Sequence, residues 1–168
     1  MLGRLARLRV PLGFLFGVAA VWLAEPTPRS LALGAAIAIA GEIVRIWAAG
    51  HLEKGREVTS SGPYAFSRHP LYLGSTVMGV GLAVASASEV VGALVVAYLS
   101  VTLTAAILTE EAHLTEKFGS AYPEYRNGRV AGIARRFSVM RAMQNREYRA
   151  VAGLAVALAL LAWKAYAR

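Results

Sequence analysis

Five apolar stretches, 10–24, 31–49, 71–87, 90–108 and 150–163, dominate this chain, and the basic residues between them alternate. Arg4, Arg7 and Arg9 precede the first stretch, and only Arg29 follows it. Lys54, Arg56 and Arg68 follow the second, and none follows the third. Lys117, Arg126, Arg129, Arg135, Arg136, Arg141, Arg146 and Arg149 crowd the connection after the fourth. Connections that take turns in this way mark helices crossing a bilayer, with the basic side in the cytoplasm. The second and fourth stretches approach the roughly 20 residues that span the hydrocarbon core. The first and third fall slightly short. The fifth is the weakest, of a length common in re-entrant or interfacial segments, although Arg149 and Lys164 could extend it by snorkelling. The expectation is an all-α polytopic bundle of about five membrane helices, forming one domain over residues 1–168. The N-terminus and the second and fourth connections face the cytoplasm, which implies a multi-pass protein of an inner or cytoplasmic membrane. The first stretch could instead serve as a signal peptide ending near Ala24, but the spans that follow favour an uncleaved helix.

Composition agrees. The chain is 57% hydrophobic, with a mean hydropathy of +0.49. The net charge of +8 would also suit nucleic acid, but its placement between apolar stretches assigns it to membrane flanks, and nothing in 118–148 resembles a nucleic-acid module. With no Cys, disulfides and thiolate sites are excluded. Every acidic residue is Glu, which argues against Asp-built calcium or magnesium sites. Within 109–149, Phe137, Met140 and Met143 fall roughly at helical spacing with Arg between them, the pattern of an interfacial helix.

Topology brings two polar clusters together. The third and fourth stretches meet at 86–89, too short a connection for anything but an antiparallel hairpin. His69 lies 19 residues before Ser88 and Glu110 lies 22 after it. At helical rise these are about 28 and about 33 Å from the turn, so both end at the basic membrane face. The first cluster runs from Gly62-Pro63-Tyr64 through Arg68-His69-Pro70 to Tyr72 and Gly74. Pro70 suits a first helical turn, and the free N–H groups there could receive a carboxylate. The second runs from Glu110-Glu111 through Leu114 and Phe118-Gly119 to Tyr122 and Tyr125-Arg126. A solvated helix end accounts for Glu116 and Lys117. It accounts poorly for Glu110 and Glu111, because negative charge opposes the dipole at a helix C-terminus. Neighbours on a helix point about 100° apart, so one of the two Glu is expected to face the pocket.

Together the clusters resemble the signature of the isoprenylcysteine carboxyl methyltransferase and phospholipid methyltransferase superfamily, G-P-Y-x-x-x-R-H-P-x-Y-x-G followed by E-E-x-x-L-x-x-x-F-G-x-x-Y-x-x-Y. The resemblance covers roughly 45–130, with Arg45-Ile46-Trp47 and His51 upstream. It implies a membrane-embedded methyltransferase that uses S-adenosylmethionine, held at the cytoplasmic helix ends rather than in a Rossmann domain. Gly79-Val80-Gly81 lies inside an apolar stretch and is no dinucleotide fingerprint. By this resemblance Arg68, Glu110, Glu111 and Arg126 are the candidate catalytic residues. Tyr64, His69, Pro70, Tyr72, Gly74, Glu110, Glu111, Tyr122 and Tyr125 are the candidate cofactor-binding residues, and no metal is required. The sequence departs from the family after its second motif. A V-P-x-F-like stretch, usually linked to the acceptor, is replaced here by Val130-Ala131-Gly132-Ile133.

Methyl transfer from a sulfonium needs donor and acceptor in line and water excluded. Carboxylates and aromatic faces suit a cation, and Arg68 suits a carboxylate of cofactor or substrate. A Glu of the pair could instead orient Arg or accept a proton. The acceptor is lipophilic or small, and the partners expected are that acceptor and the bilayer, without nucleic acid. Oligomeric state is open. Two rivals remain: a di-iron site on the single Glu110-x-x-His113, and a small transporter or membrane scaffold. The Glu42–Arg45 pair in the second stretch bears on the latter, and an ion pair at helical spacing is its simpler account.

Overall fold

A computed structural model gives the fold, and it describes residues 13, 15–54, 56–127 and 135–167. The elements in order are α1 (15–23), α2 (Pro28–His51), a short 3-10 turn (Gly62–Ala65), α3 (Pro70–Ser86), α4 (Glu89–Phe118), α5 (Ala121–Arg126), α6 (Val139–Gln144) and α7 (Tyr148–Tyr166). There is no strand among the described residues. The all-α class expected from the sequence is the one found.

Local chemistry sets the helix ends. Pro28 occupies the first turn of α2, where the missing N–H costs nothing. Thr27 and Ser30 close a capping box there: Thr27 Oγ1 accepts from the Ser30 N–H at 3.1 Å, and Ser30 Oγ accepts from the Thr27 N–H at 2.9 Å. Pro70 starts α3 in the same way. The hairpin turn is only Ala87-Ser88, and Ser88 caps α4 through the Val91 N–H. Gly119, at φ 54°, ends α4 in a conformation that favours glycine.

Three helices, α2, α4 and α7, are long and apolar enough to cross a membrane, and α3 is a shorter apolar helix of 17 residues. The fifth stretch, expected to be the weakest, is corrected upward. It forms a 19-residue helix because Tyr148, Lys164 and Tyr166 join its ends. Tyr148 and Tyr166 are exposed there, and Lys164 Nζ donates to the Val21 and Trp22 carbonyls at 2.9 and 2.6 Å, so its charge is satisfied at the end of α1. The first stretch is helical over 15–23; its opening residues, with Arg4, Arg7 and Arg9, lie outside the described ones. At 30 residues α4 is about 45 Å long, more than the ~30 Å hydrocarbon core, so its charged end projects beyond the bilayer.

The tightest packing joins α2 to α3, backbone against backbone. A Cβ added at Gly34 would lie 2.2 Å from Ala85 N, one at Gly81 2.3 Å from Ala38 N, and one at Gly41 2.5 Å from Met78 N. Only glycine permits this approach, as at small-residue interfaces in membranes. α4 is held differently, with Val91 its one buried residue. Val96, Val101 and Leu108 on α4 are exposed, as are Leu33 and Ile43 on α2 and Val156 on α7. Apolar surface of that extent fits a lipid surround.

Candidate active site

The glycine-packed pair fixes where the first motif begins. The C-terminus of α2 ends on His51, which is buried and bonds the Trp47 carbonyl through Nδ1 at 2.9 Å. Gly62 sits on that imidazole at φ 59°, and a Cβ there would lie 2.6 Å from His51 Cδ2. Position 62 therefore needs glycine for space and for backbone conformation. The 3-10 turn that follows buries Pro63 and Tyr64. From the far end of the second motif, Tyr125 Oη donates to the Tyr64 carbonyl at 2.6 Å and clasps the turn.

His69 is the meeting point. It precedes α3 with its side chain free of any capping bond, and its ring stacks on Tyr72 at 5.7 Å between centroids. Its Nε2 lies 3.1 Å from Glu111 Oε1, across 42 residues of sequence, and its Nδ1 lies 4.0 Å from Glu110 Oε2. Arg68 Nη1 adds a contact of 3.5 Å to Glu111 Oε1. One Glu of the pair, Glu110, faces the cavity, as expected, although both approach the His69 ring. Their settings differ. Glu111 is tied to His69 and Arg68, whereas the Glu110 side chain is 42% exposed and lines a cavity.

That cavity, about 150 Å³, is bounded by Tyr64, Arg68, His69, Pro70, Tyr72 and Glu110 from the motifs. Glu53 and Glu57, from the connection after α2, complete its wall. Three phenols stand around the site. Burial pushes Tyr64 well above the ordinary tyrosine range, and the Glu110 charge pushes the same way. Burial also raises Tyr125. Tyr122 is pushed up to about 12 by burial, with the Glu111 carboxylate adding to it. All three are neutral donors near pH 7. The Tyr122 hydroxyl is buried beside the Glu111 carboxylate.

Of the candidate residues, Glu111, Tyr122 and Tyr125 thus stand behind the cavity wall and brace it. Gly74 is corrected. It faces α2, where a Cβ would lie 2.6 Å from Arg45 Cγ and 2.7 Å from the Gly41 carbonyl oxygen, so the space it frees is taken by a helix and not by a ligand. Arg126 closes α5, and its side chain lies outside the described residues. No three His or Glu side chains converge as a metal site among the described residues.

Two ion networks were not foreseen. Glu53 and Glu57 bind Arg135, at 3.4 and 2.8 Å, and Glu53 also binds Arg141 at 2.9 Å. Deeper, Arg45 Nε meets Glu147 at 2.7 Å as well as the expected Glu42 at 3.5 Å. The same guanidinium donates to the Leu71 carbonyl and to Ser75 Oγ in the first turn of α3. The acidic residues lie outside both motifs, and their partners are far away in sequence. The one signal available was that isolated charges beside apolar stretches must find partners.

Comparison with known families gives one finding. Residues 44–121 match the model of the phospholipid methyltransferase family. That span contains the α2 C-terminus, the 3-10 turn, α3, α4 and both Glu of the pair. No curated protein and no solved structure matches the chain.

Proposed function

Because residues 44–121 match the model of the phospholipid methyltransferase family, we propose that this chain methylates a lipid-borne acceptor with S-adenosylmethionine as donor. The reaction takes place at the basic, cytoplasmic end of the helices. The observation that carries the reading is His69, held between Glu110 and Glu111 on one wall of a cavity that Tyr64 and Tyr72 complete.

The residues fit the donor. Carboxylates and aromatic faces suit a sulfonium cation, and Glu110, Tyr64 and Tyr72 supply them on the cavity wall. The half-exposed Arg68 suits the donor's carboxylate. The cavity of about 150 Å³ is below the ~300–1,000 Å³ of small-molecule sites, so it would hold one end of the cofactor, with Arg68 and Glu110 available to the rest. Bound there, the sulfonium supplies an activated methyl group and leaves as a neutral thioether. The protein's part is alignment and exclusion of water. Tyr64 and Tyr72 shield the reacting centre, and Glu111 fixes His69 and Arg68. Glu110 is free of strong partners and accepts the proton that an amine acceptor must lose to attack.

We favour a lipid amine over a prenylcysteine carboxylate. The family match supports this, and Glu110, which lines the cavity with no cation closer than 4.0 Å among the described residues, suits an ammonium headgroup. Glu53 and Glu57 are paired with Arg135 and Arg141, and Lys54 and Arg68 share the wall, so the preference rests on Glu110. The test is incubation of membranes containing the protein with methyl-labelled S-adenosylmethionine, followed by separation of lipid from protein. Label in a lipid amine is the expected result. Label as a base-labile methyl ester overturns the acceptor assignment, and absence of label with saturable S-adenosylhomocysteine binding does the same. Absence of both overturns the methyltransferase reading.

A further inference from the structure

The arginines of the segment after the second motif divide into two sets. Arg135 and Arg141 point inward and are neutralised by Glu53 and Glu57. Arg136, Arg146 and Arg149 point outward, exposed, and no carboxylate pairs with them among the described residues. Between them α6 presents Val139, Met140 and Met143, exposed by 67%, 68% and 51%. These three are one and four residues apart and so share one side of the helix. The opposite side is anchored. Ala142 is buried, Arg141 Nη1 donates to the Gly50 carbonyl at 2.6 Å, and Asn145 Nδ2 donates to the carbonyls of Ala49 and Leu52, both at 2.9 Å. α6 therefore cannot roll its apolar side inward. Arg146 turns the chain into α7 at φ 62°, a conformation L residues rarely adopt, which keeps α6 as a surface strap instead of an extension of the membrane helix.

A short helix with apolar side chains on one outward face, flanked by guanidinium groups that no described carboxylate neutralises (Arg149 lies over the Tyr148 ring) and fixed at the mouth of a membrane helix, complements a bilayer surface bearing negative charge. We propose that residues 136–149 are a docking surface for anionic phospholipid headgroups. Val139, Met140 and Met143 enter the headgroup–acyl boundary, and Arg136, Arg146 and Arg149 meet phosphates. The charge complementarity is specific to this face. Arg135 and Arg141 carry the same charge on the same segment, but they are occupied by Glu and contribute nothing to it.

The natural absence of Cys allows a direct test. A Met140→Cys variant, labelled with a polarity-sensitive fluorophore, is reconstituted into vesicles of phosphatidylcholine alone and of phosphatidylcholine with phosphatidylglycerol. Quenching is then read with neutral acrylamide. The expected result is a blue shift and protection from quencher only where phosphatidylglycerol is present. Each arginine near an anionic surface is worth roughly fivefold in binding, so Arg136→Gln/Arg146→Gln/Arg149→Gln removes most of the protection. High salt on the chain with all three arginines intact must do the same, whether or not the triple variant folds. Equal quenching in the two lipids overturns the proposal, as does protection that survives high salt. Protection already present in phosphatidylcholine points instead to apolar insertion or to contact between copies, and also overturns it. None of these readouts depends on methyl transfer.

Discussion

Glu111→Gln and Glu110→Gln change adjacent residues by the same chemistry, yet the structure gives them different outcomes. Glu111 accepts one charge-assisted bond from His69 at 3.1 Å and a longer contact from Arg68 at 3.5 Å, and its side chain is 23% exposed. A hydrogen bond to a charged group contributes about 1.5–3 kcal/mol. The Arg68 contact, whose guanidinium is half in solvent, adds at most about 1 kcal/mol. Glutamine keeps the shape and one acceptor but loses the charge, so Glu111→Gln should destabilise by roughly 1–3 kcal/mol. It should also weaken S-adenosylhomocysteine binding, because His69 and Arg68 lose their common anchor. Glu110 has only a 4.0 Å approach to His69 Nδ1 and lies largely in the open. Its substitution should leave stability within about 0.5 kcal/mol while binding or turnover falls. Thermal unfolding in nanodiscs followed by circular dichroism measures the first quantity, and calorimetric titration the second, with Glu116→Gln as the solvated control. Equal loss of stability in the two variants would refute the division between a positioning and a cavity-facing carboxylate. Unchanged binding in both would falsify the site.

Gly41→Ala should cost about 1–3 kcal/mol, since its Cβ would lie 2.5 Å from the Met78 backbone N, whereas Gly92→Ala, with open space around it, should stabilise by up to about 1 kcal/mol; denaturation midpoints of the pair decide this. Tyr122 should ionise near 12 in an alkaline absorbance titration. Because its folded value stands above the ordinary 10.0, the unfolded chain releases that proton first, so stability is fully present below pH 10 and declines from there towards 12; Tyr122→Phe should remove this part of the slope. Single cysteines at positions 127 and 88 should label from opposite sides of sealed vesicles, and labelling from one side would overturn the hairpin topology.

The sequence was most informative where its signals were local or periodic. The hairpin follows from apolar length and a two-residue turn, and the approach of His69 to Glu110 and Glu111 follows from counting helical rise. Which way a residue points was less legible. Gly74 lies inside the first motif, but motif membership does not show whether a glycine makes room for a ligand or a helix, and here it admits Arg45. The Arg45–Glu147 bond spans 102 residues, and no periodicity predicts a partner at that distance. Glu53 and Glu57 carry no sequence signal of their own, because their partner Arg135 lies 82 and 78 residues further along the chain. The length of α7 was underestimated because apolar counting stops at Tyr and Lys, whose stems continue the helix into the interface.

The unequal packing of α3 and α4 makes the site mechanically lopsided. α2 and α3 touch through backbone at their glycines, with no side chain between them to change rotamer, and they behave as a door frame. α4 is fastened near the far end of its length, at Val91 and the Ser88 cap, packs Leu99 and Val95 on Gly79 of α3 at mid-length, and near the site is held by the contacts of Glu111 with His69 and Arg68. It is the more lightly built wall of the site, tied there to His69. Loss of the His69–Glu111 bond would therefore loosen the wall that Glu110 lines and leave the α2–α3 frame as it is.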